Sequence, residues 1–306
     1  MKVLVATEKP FAKVAVDGIR KIVEGAGYTL ALLEKYTSSD EFYTAVADAD
    51  ALIVRSDKVT KEVINAAKKL KIVVRAGAGY DNLDLNACSE RGIVAMNTPG
   101  QNSNAVAELA IGLMIYMSRN CFTPGTGVEL KEKTLGIQAF GNVGRLVAEL
   151  GKGFGMNVIA FDPYVNAESI KSSGVTPVNN LDELYEHSNY LSIHIPATDQ
   201  TKKSIGYDLI NKMPKGAVLV NTARKEVINE DGLIKVLEER SDLKYATDVA
   251  ADNQAILNEK FGIRVYATPK KMGAETAEAN INAGLAAANQ IIRFFTADDR
   301  TFQLNK

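Results

Sequence analysis

The sequence has no tryptophan, only two cysteines and only two histidines in 306 residues. Cys88 and Cys121 lack CxxC spacing and have no histidine near them, so neither a zinc site nor a disulfide scaffold is indicated and no metal is expected. Unpaired thiols of this kind suit a reducing compartment. No run of eighteen apolar residues occurs, and the amino terminus MKVLVATEKP enters a strand pattern directly instead of the apolar stretch of a signal peptide. No membrane partner is expected, and the predicted location is the cytoplasm. An excess of one charge is missing as well: 36 Lys and Arg face 37 Asp and Glu, a formal net charge of -1. The lysines of AAKKLK (66–71) are interspersed with apolar residues at helical spacing, which describes a solvated helix face rather than a phosphate-binding stripe, so no nucleic acid is expected.

What is present is ordinary in amount, 46% hydrophobic and 24% charged residues, in a chain about twice the usual domain length. The runs KVLVA, TLALL, ALIVR, KIVVR and IVAMN alternate with helix-length segments up to Asn97, which is βαβ rhythm. Ser38 stands three residues before Glu41 as a capping box, and Gly25 and Gly27 close the preceding helix. Residues 101–120 place Val106, Leu109, Ala110, Leu113, Met114 and Met117 on one stripe of a long helix, followed by an exposed connection over 121–133. A second βα series then runs through TLGIQAFG, NVIAFD, GVTPV, YLSIHI, AVLVNTA, YATDVA and RVYATP, and ends in an alanine-rich helix suited to close packing.

The second series opens with a strand that enters a helix through Gly141 and Gly144. Glycines at such a turn let backbone amides approach a pyrophosphate, and the helix amino terminus adds partial positive charge. Ala139 holds the first glycine position, giving AxGxxG. Asp162 ends the next strand, 23 residues on (162 − 139), where a carboxylate accepts both hydroxyls of an adenosine ribose and repels a 2'-phosphate. The following PYVN offers no arginine, so NAD is predicted over NADP. Arg224 lies just past a buried strand, where a guanidinium can hold a carboxylate through two parallel hydrogen bonds. Asp248, Asp252 and Asn253 reach the same edge from YATDVAADNQ, and Lys270 and Lys271 reach it from ATPKK.

The ordered segments KTLGIQAFGNVGR, FDP, SIHIPAT, LVNTAR, TDV and TPKKMGAET resemble, over essentially the whole chain, the D-isomer-specific 2-hydroxyacid dehydrogenases. Residues 52–85 and MNTPGQNSNAVAEL resemble most closely the phosphoglycerate dehydrogenases within that family, which oxidise D-3-phosphoglycerate with NAD in serine biosynthesis. The resemblance implies an α/β fold of two Rossmann-like doubly wound parallel-sheet domains with a cleft between them: a substrate domain of 1–97 plus 280–306, and an NAD-binding domain of 98–279. It further implies that Ala139, Gly141, Asn142, Val143 and Gly144 hold the pyrophosphate and Asp162 the ribose, with His194, Pro196, Thr222 and Asp248 flanking the cofactor. Arg224 is implied to hold the substrate carboxylate and carbonyl. Arg55, Ser56 and Asn102 are implied to contact the phosphorylated end of the substrate, and Arg75, Ala76, Gly77, Ala78 and Gly79 to form the loop facing its carboxylate. A homodimer is implied too. With no residues beyond 306, no regulatory domain is expected.

This sequence departs from the family where the proton moves. The family's histidine after Thr-Pro is absent: counting from Thr268-Pro269 puts Lys270 in its place, and counting back from Gly273-Ala274 and Thr276 puts Lys271 there. The family's orienting glutamate falls on Asn253, with Asp252 the nearest carboxylate, and Lys225 replaces a glycine beside Arg224. His187 reads as a helix-end residue and His194 as a strand-end residue beside the cofactor. A lysine with an ordinary pKa of about 10.4 is a poor base at neutral pH and a serviceable acid, so one of the pair acting in catalysis predicts oxidation that accelerates at alkaline pH. The alternatives are a glyoxylate or hydroxypyruvate reductase, or a catalytically degenerate module that senses NADH.

Overall fold

The computed structural model describes residues 1–305 and separates the chain into two compact α/β units. One comprises Met1–Asn102 with the segment from Glu275 onward, and the other Ser103–Ala274. Each changeover lies five residues from the predicted one (102 against 97, 275 against 280). Thr98 remains tied to the first unit through its amide to Gly77 O at 3.0 Å, and the last helix, Ala277–Ala297, brings its own N-cap, Thr276, whose hydroxyl accepts from Ala279 N–H.

In the first unit β1 (Lys2–Thr7), β2 (Thr29–Glu34), β3 (Ala51–Val54), β4 (Ile72–Arg75) and β5 (Val94–Asn97) form a parallel sheet in the order β2-β1-β3-β4-β5. Its strands β1, β3, β4 and β5 read as apolar runs because both faces are covered, whereas the edge strand β2 has no buried residue. Val3, Val5, Ile53 and Val74 pack on one side with Ala283, Ala287 and Ile291 of the last helix, while Leu4, Leu52 and Val73 pack on the other with Phe42, Val63 and Ile64. The small residues of the last helix do permit close approach: a Cβ on Gly284 would lie 3.1 Å from Ile19, in the helix Lys13–Gly25. The Ser38–Glu41 capping box is present, and Gly27 has φ +76°.

The second unit carries β6 (Thr134–Gln138), β7 (Asn157–Phe161), β8 (Thr176–Pro177), β9 (Tyr190–Ile193), β10 (Val218–Asn221), β11 (Lys244–Thr247) and β12 (Val265–Ala267), all parallel, in the order β12-β11-β10-β9-β6-β7-β8. GVTPV yields only the two-residue edge strand β8, since Pro177 has no N–H to continue a ladder. The helix predicted over 101–120 spans Ser103–Ser118, and Asn120, Cys121 and Phe122 then take left-handed φ of 51°, 56° and 57° in succession. Strand order reverses between β1 and β3 in one unit and between β6 and β9 in the other; in open α/β sheets ligands bind outside the carboxyl ends of the strands at such points.

Candidate active site

At the switch point of the second unit, the residues after β6 turn sharply into the helix Asn142–Gly153. Ala139 adopts φ +77°, the conformation that a first glycine would take without strain. Gly144 is obligatory on space: a Cβ there would lie 2.2 Å from Ala139 O. Gly141, by contrast, has open space where a side chain would stand, and no side chain caps the helix that follows it. Asp162 braces the turn by accepting Phe140 N–H at 2.7 Å on Oδ2 and Tyr164 N–H at 2.8 Å on Oδ1, which leaves each oxygen a lone pair for a further donor. Across the switch point His194 N–H donates to Gln138 O at 2.9 Å, and beyond it His194 Nε2 and Thr222 Oγ1 are buried without a hydrogen-bond partner. An open, uncapped helix terminus, a carboxylate after β7 and two orphaned polar atoms at one sheet edge fit a dinucleotide. Burial pulls the His194 imidazole down to about 3, so it is neutral and serves neither as acid nor as base near neutral pH. His187 is the last residue of the helix Leu181–His187.

Arg224 follows β10 in a turn held by the buried Asn221, whose Oδ1 accepts Ala223 N–H at 3.0 Å and whose Nδ2 donates to Arg224 O at 2.9 Å. Asp248 and Asp252 both have partners within the second unit. Asp248 is 1% exposed, and its carboxylate accepts Met272 N–H at 2.8 Å and Gly273 N–H at 2.7 Å, with the Thr268 hydroxyl at 2.9 Å. Those donors fix the loop Thr268–Gly273, on which Lys270 and Lys271 are both exposed. The same Thr268 hydroxyl lies 2.8 Å from Lys270 O. Asp252 is drawn to the lysine that replaces glycine, with Lys225 Nζ 2.5 Å from its Oδ1, and this pairing raises the pKa of Lys225. Glu230 holds the backbone beside it, accepting Asp252 N–H at 2.8 Å and Asn253 N–H at 3.0 Å.

In the first unit Arg55 stands after β3, at the β1/β3 reversal. Asp57, 5% exposed, gathers three strand ends by accepting Glu8 N–H at 2.7 Å, the Tyr36 hydroxyl at 2.9 Å and Arg55 N–H at 3.2 Å. Ser56 between them is exposed. Arg75 Nε donates to Arg55 O at 3.0 Å, and its guanidinium covers Gly77 so closely that a Cβ there would lie 1.5 Å from Nη1; φ of +145° makes the same demand for glycine. Gly77 N–H donates to the Thr98 hydroxyl at 2.6 Å and Asn97 Nδ2 to Ala78 O at 2.6 Å, so residues 76–79 form a pinned loop. Asn102 is half-buried at the end of this unit's first segment. Among the described residues no cluster of three or more His, Cys, Asp or Glu could hold a metal ion, and no helix is long and apolar enough to cross a membrane.

The profile described as D-isomer specific 2-hydroxyacid dehydrogenase, NAD binding domain, matches residues 116–271. A D-3-phosphoglycerate dehydrogenase of Methanocaldococcus jannaschii is 38% identical over 269 residues, 83% of this chain and 51% of its own length, so the chain spans about half of that relative. A hydroxypyruvate reductase of Thermotoga maritima is 36% identical over 286 residues, 86% of this chain and 90% of its own. Among solved structures, NAD+-bound 3-phosphoglycerate dehydrogenase of Entamoeba histolytica superposes with a TM-score of 0.90 at 51% identity, covering 100% of this chain and 99% of that one.

Proposed function

The chain belongs to the D-isomer-specific 2-hydroxyacid dehydrogenase family, and from that premise we propose that it is an NAD-dependent D-3-phosphoglycerate dehydrogenase that also runs in reverse, with a lysine in place of the usual histidine. The observation that carries the reading is the end-to-end likeness to the Entamoeba enzyme. Bound NAD supplies the hydride acceptor, or NADH the donor. The chain supplies the rest. The Gly141 turn and the helix terminus receive the pyrophosphate, Asp162 accepts the ribose hydroxyls, and Arg224 grips the substrate carboxylate as a planar fork. Arg55, with Ser56 and Asn102, takes the phosphate. Lys270 or Lys271 gives a proton to the C2 oxygen in reduction and removes it in oxidation; as an ammonium it also stabilises developing negative charge on that oxygen.

The test is NADH oxidation with 3-phosphohydroxypyruvate by the parent, Lys270→Ala and Lys271→Ala. One alanine variant should lose most of kcat while still binding NADH, and oxidation of 3-phosphoglycerate by the parent should accelerate from pH 7 to pH 10. A parent that binds NADH but turns over no 2-hydroxy or 2-oxo acid would instead be a cofactor-binding module. Hydroxypyruvate reductase is the second reading, favoured by the likeness to the Thermotoga enzyme along 90% of its length; equal turnover of hydroxypyruvate and its phosphate would select it. The reading includes a cytoplasmic homodimer. Phe122 at 69%, Val128 at 54% and Ile263 at 53% exposure supply apolar surface on the second unit, and sedimentation at micromolar concentration checks the assembly.

A further inference from the structure

Arg55 is held more firmly than a surface arginine beside an open rim. Its Nη1 lies 3.1 Å from Lys9 O and 3.3 Å from Pro10 O, its Nη2 donates to Asn280 Oδ1 at 2.5 Å, and its central carbon sits 5.3 Å from the centre of the Phe11 ring. The two carbonyls and the ring come from the loop after β1. Asn280 comes from the first turns of the last helix, 225 residues further along the chain. It is the only side-chain acceptor given to this guanidinium among the described residues.

The orientation of that amide is fixed. Asn280 Nδ2 donates to Thr276 O at 2.9 Å, the carbonyl that already accepts Asn280 N–H at 3.1 Å, so its oxygen must face Arg55. Thr276 is the helix cap and is itself engaged through Ala279 N–H. A neutral acceptor in this place directs the arginine without cancelling its charge. A carboxylate would direct it equally well and neutralise it, and alanine would leave the long side chain to sample other rotamers. Of five guanidinium N–H groups, three are directed at protein oxygens. The Nε–H and one Nη2–H remain to meet a ligand anion.

We propose that Asn280 is a positioning residue that sets selectivity for phosphorylated over unphosphorylated 2-oxo acids, by holding the Arg55 guanidinium at the mouth of the β1/β3 switch point while leaving its charge intact. This rests on the reading above that Arg55 receives the substrate phosphate.

The test is the ratio of kcat/KM for 3-phosphohydroxypyruvate to that for hydroxypyruvate, with NADH, in the parent, Asn280→Ala, Asn280→Asp and Arg55→Ala. Both values come from one preparation, so the folded fraction cancels. Loss of one hydrogen bond to a charged donor should lower the ratio about tenfold in Asn280→Ala, chiefly through KM for the phosphorylated acid. Asn280→Asp should lower it further although the contact survives, which a purely structural role would not produce. A collapsed ratio in Arg55→Ala with both Asn280 variants within about twofold of the parent would overturn the role of Asn280 alone. A parent that does not prefer the phosphorylated acid, and whose ratio Arg55→Ala leaves unmoved, would overturn both the role and the phosphate reading beneath it.

Discussion

Substituting asparagine for Asp248 exchanges one carboxylate oxygen for an NH2 group at nearly constant volume. The Oδ1 position can still accept from Met272 N–H and the Thr268 hydroxyl, but as a neutral acceptor, and the new NH2 would face Gly273 N–H at the 2.7 Å now spanned by a hydrogen bond. Hydrogen bonds to charged groups contribute about 1.5–3 kcal/mol each and neutral ones about 1 kcal/mol, while a buried donor left without an acceptor costs about 1–3 kcal/mol. Weakening two bonds and turning the third into a donor-donor contact should therefore destabilise the second unit by about 3 kcal/mol. It should also loosen the Thr268–Gly273 loop, lowering kcat at least tenfold with the dissociation constant of NADH little changed. Urea unfolding followed by circular dichroism, with NADH fluorescence titration on the same samples, measures both quantities. Unchanged unfolding together with a weakened NADH complex would refute the loop-holding role and favour a place for Asp248 beside the cofactor.

Two further outcomes follow from residues in the same unit. His194 has a folded pKa of about 3 against an ordinary 6.5, so below pH 6.5 the unfolded chain takes up a proton that the native chain refuses; stability is lost as pH falls from there toward 3. Between pH 7 and pH 5 this one group removes about 2 kcal/mol, and His194→Gln should flatten the pH dependence of urea unfolding by that amount. Ala139→Gly relieves a side chain held at φ +77°, so it should raise the melting temperature by the equivalent of about 0.5–1 kcal/mol, the left-handed strain less the added entropy of glycine in the unfolded chain; a lowered melting temperature would show that the turn relaxes around alanine at no cost.

Strands and glycine turns were legible in the sequence because each carries a local signal. A strand buried on both faces has to be apolar throughout, and a turn at positive φ or under a carbonyl has to use small residues, as at Gly27 and Gly144. The residues that hold the functional side chains carry no such signal. Asp57 looks like part of a surface turn in RSDK, and its 5% exposure follows only from three strand ends meeting over it. Glu230 reads as an acidic residue in the first turn of the helix Glu230–Glu239, which it is, and that reading conceals its grip on the amides of Asp252 and Asn253. Proximity along one sheet edge was likewise not enough to choose partners. Asp252 could be placed on the same rim as Lys225 and the lysine pair, but which one it joins depends on side-chain reach, and Lys225 takes it.

The division of the chain also bears on how it is made. Residues 103–274, 172 of them (274 − 103 + 1), interrupt the first unit, whose sheet is covered on one face by the helix Ala277–Ala297. Closing a flexible loop of that length costs about 4.5 kcal/mol in chain entropy. The second unit removes much of that penalty by folding, because its own ends meet: a Cβ on Gly273 would lie 3.4 Å from Val106 and 3.6 Å from Leu109. Once it has folded, Glu275 is delivered near Asn102 as if the two were neighbours in sequence. On a ribosome the middle of the chain should therefore become protease-resistant before its beginning does, and the earliest strands should wait for the last helix to emerge.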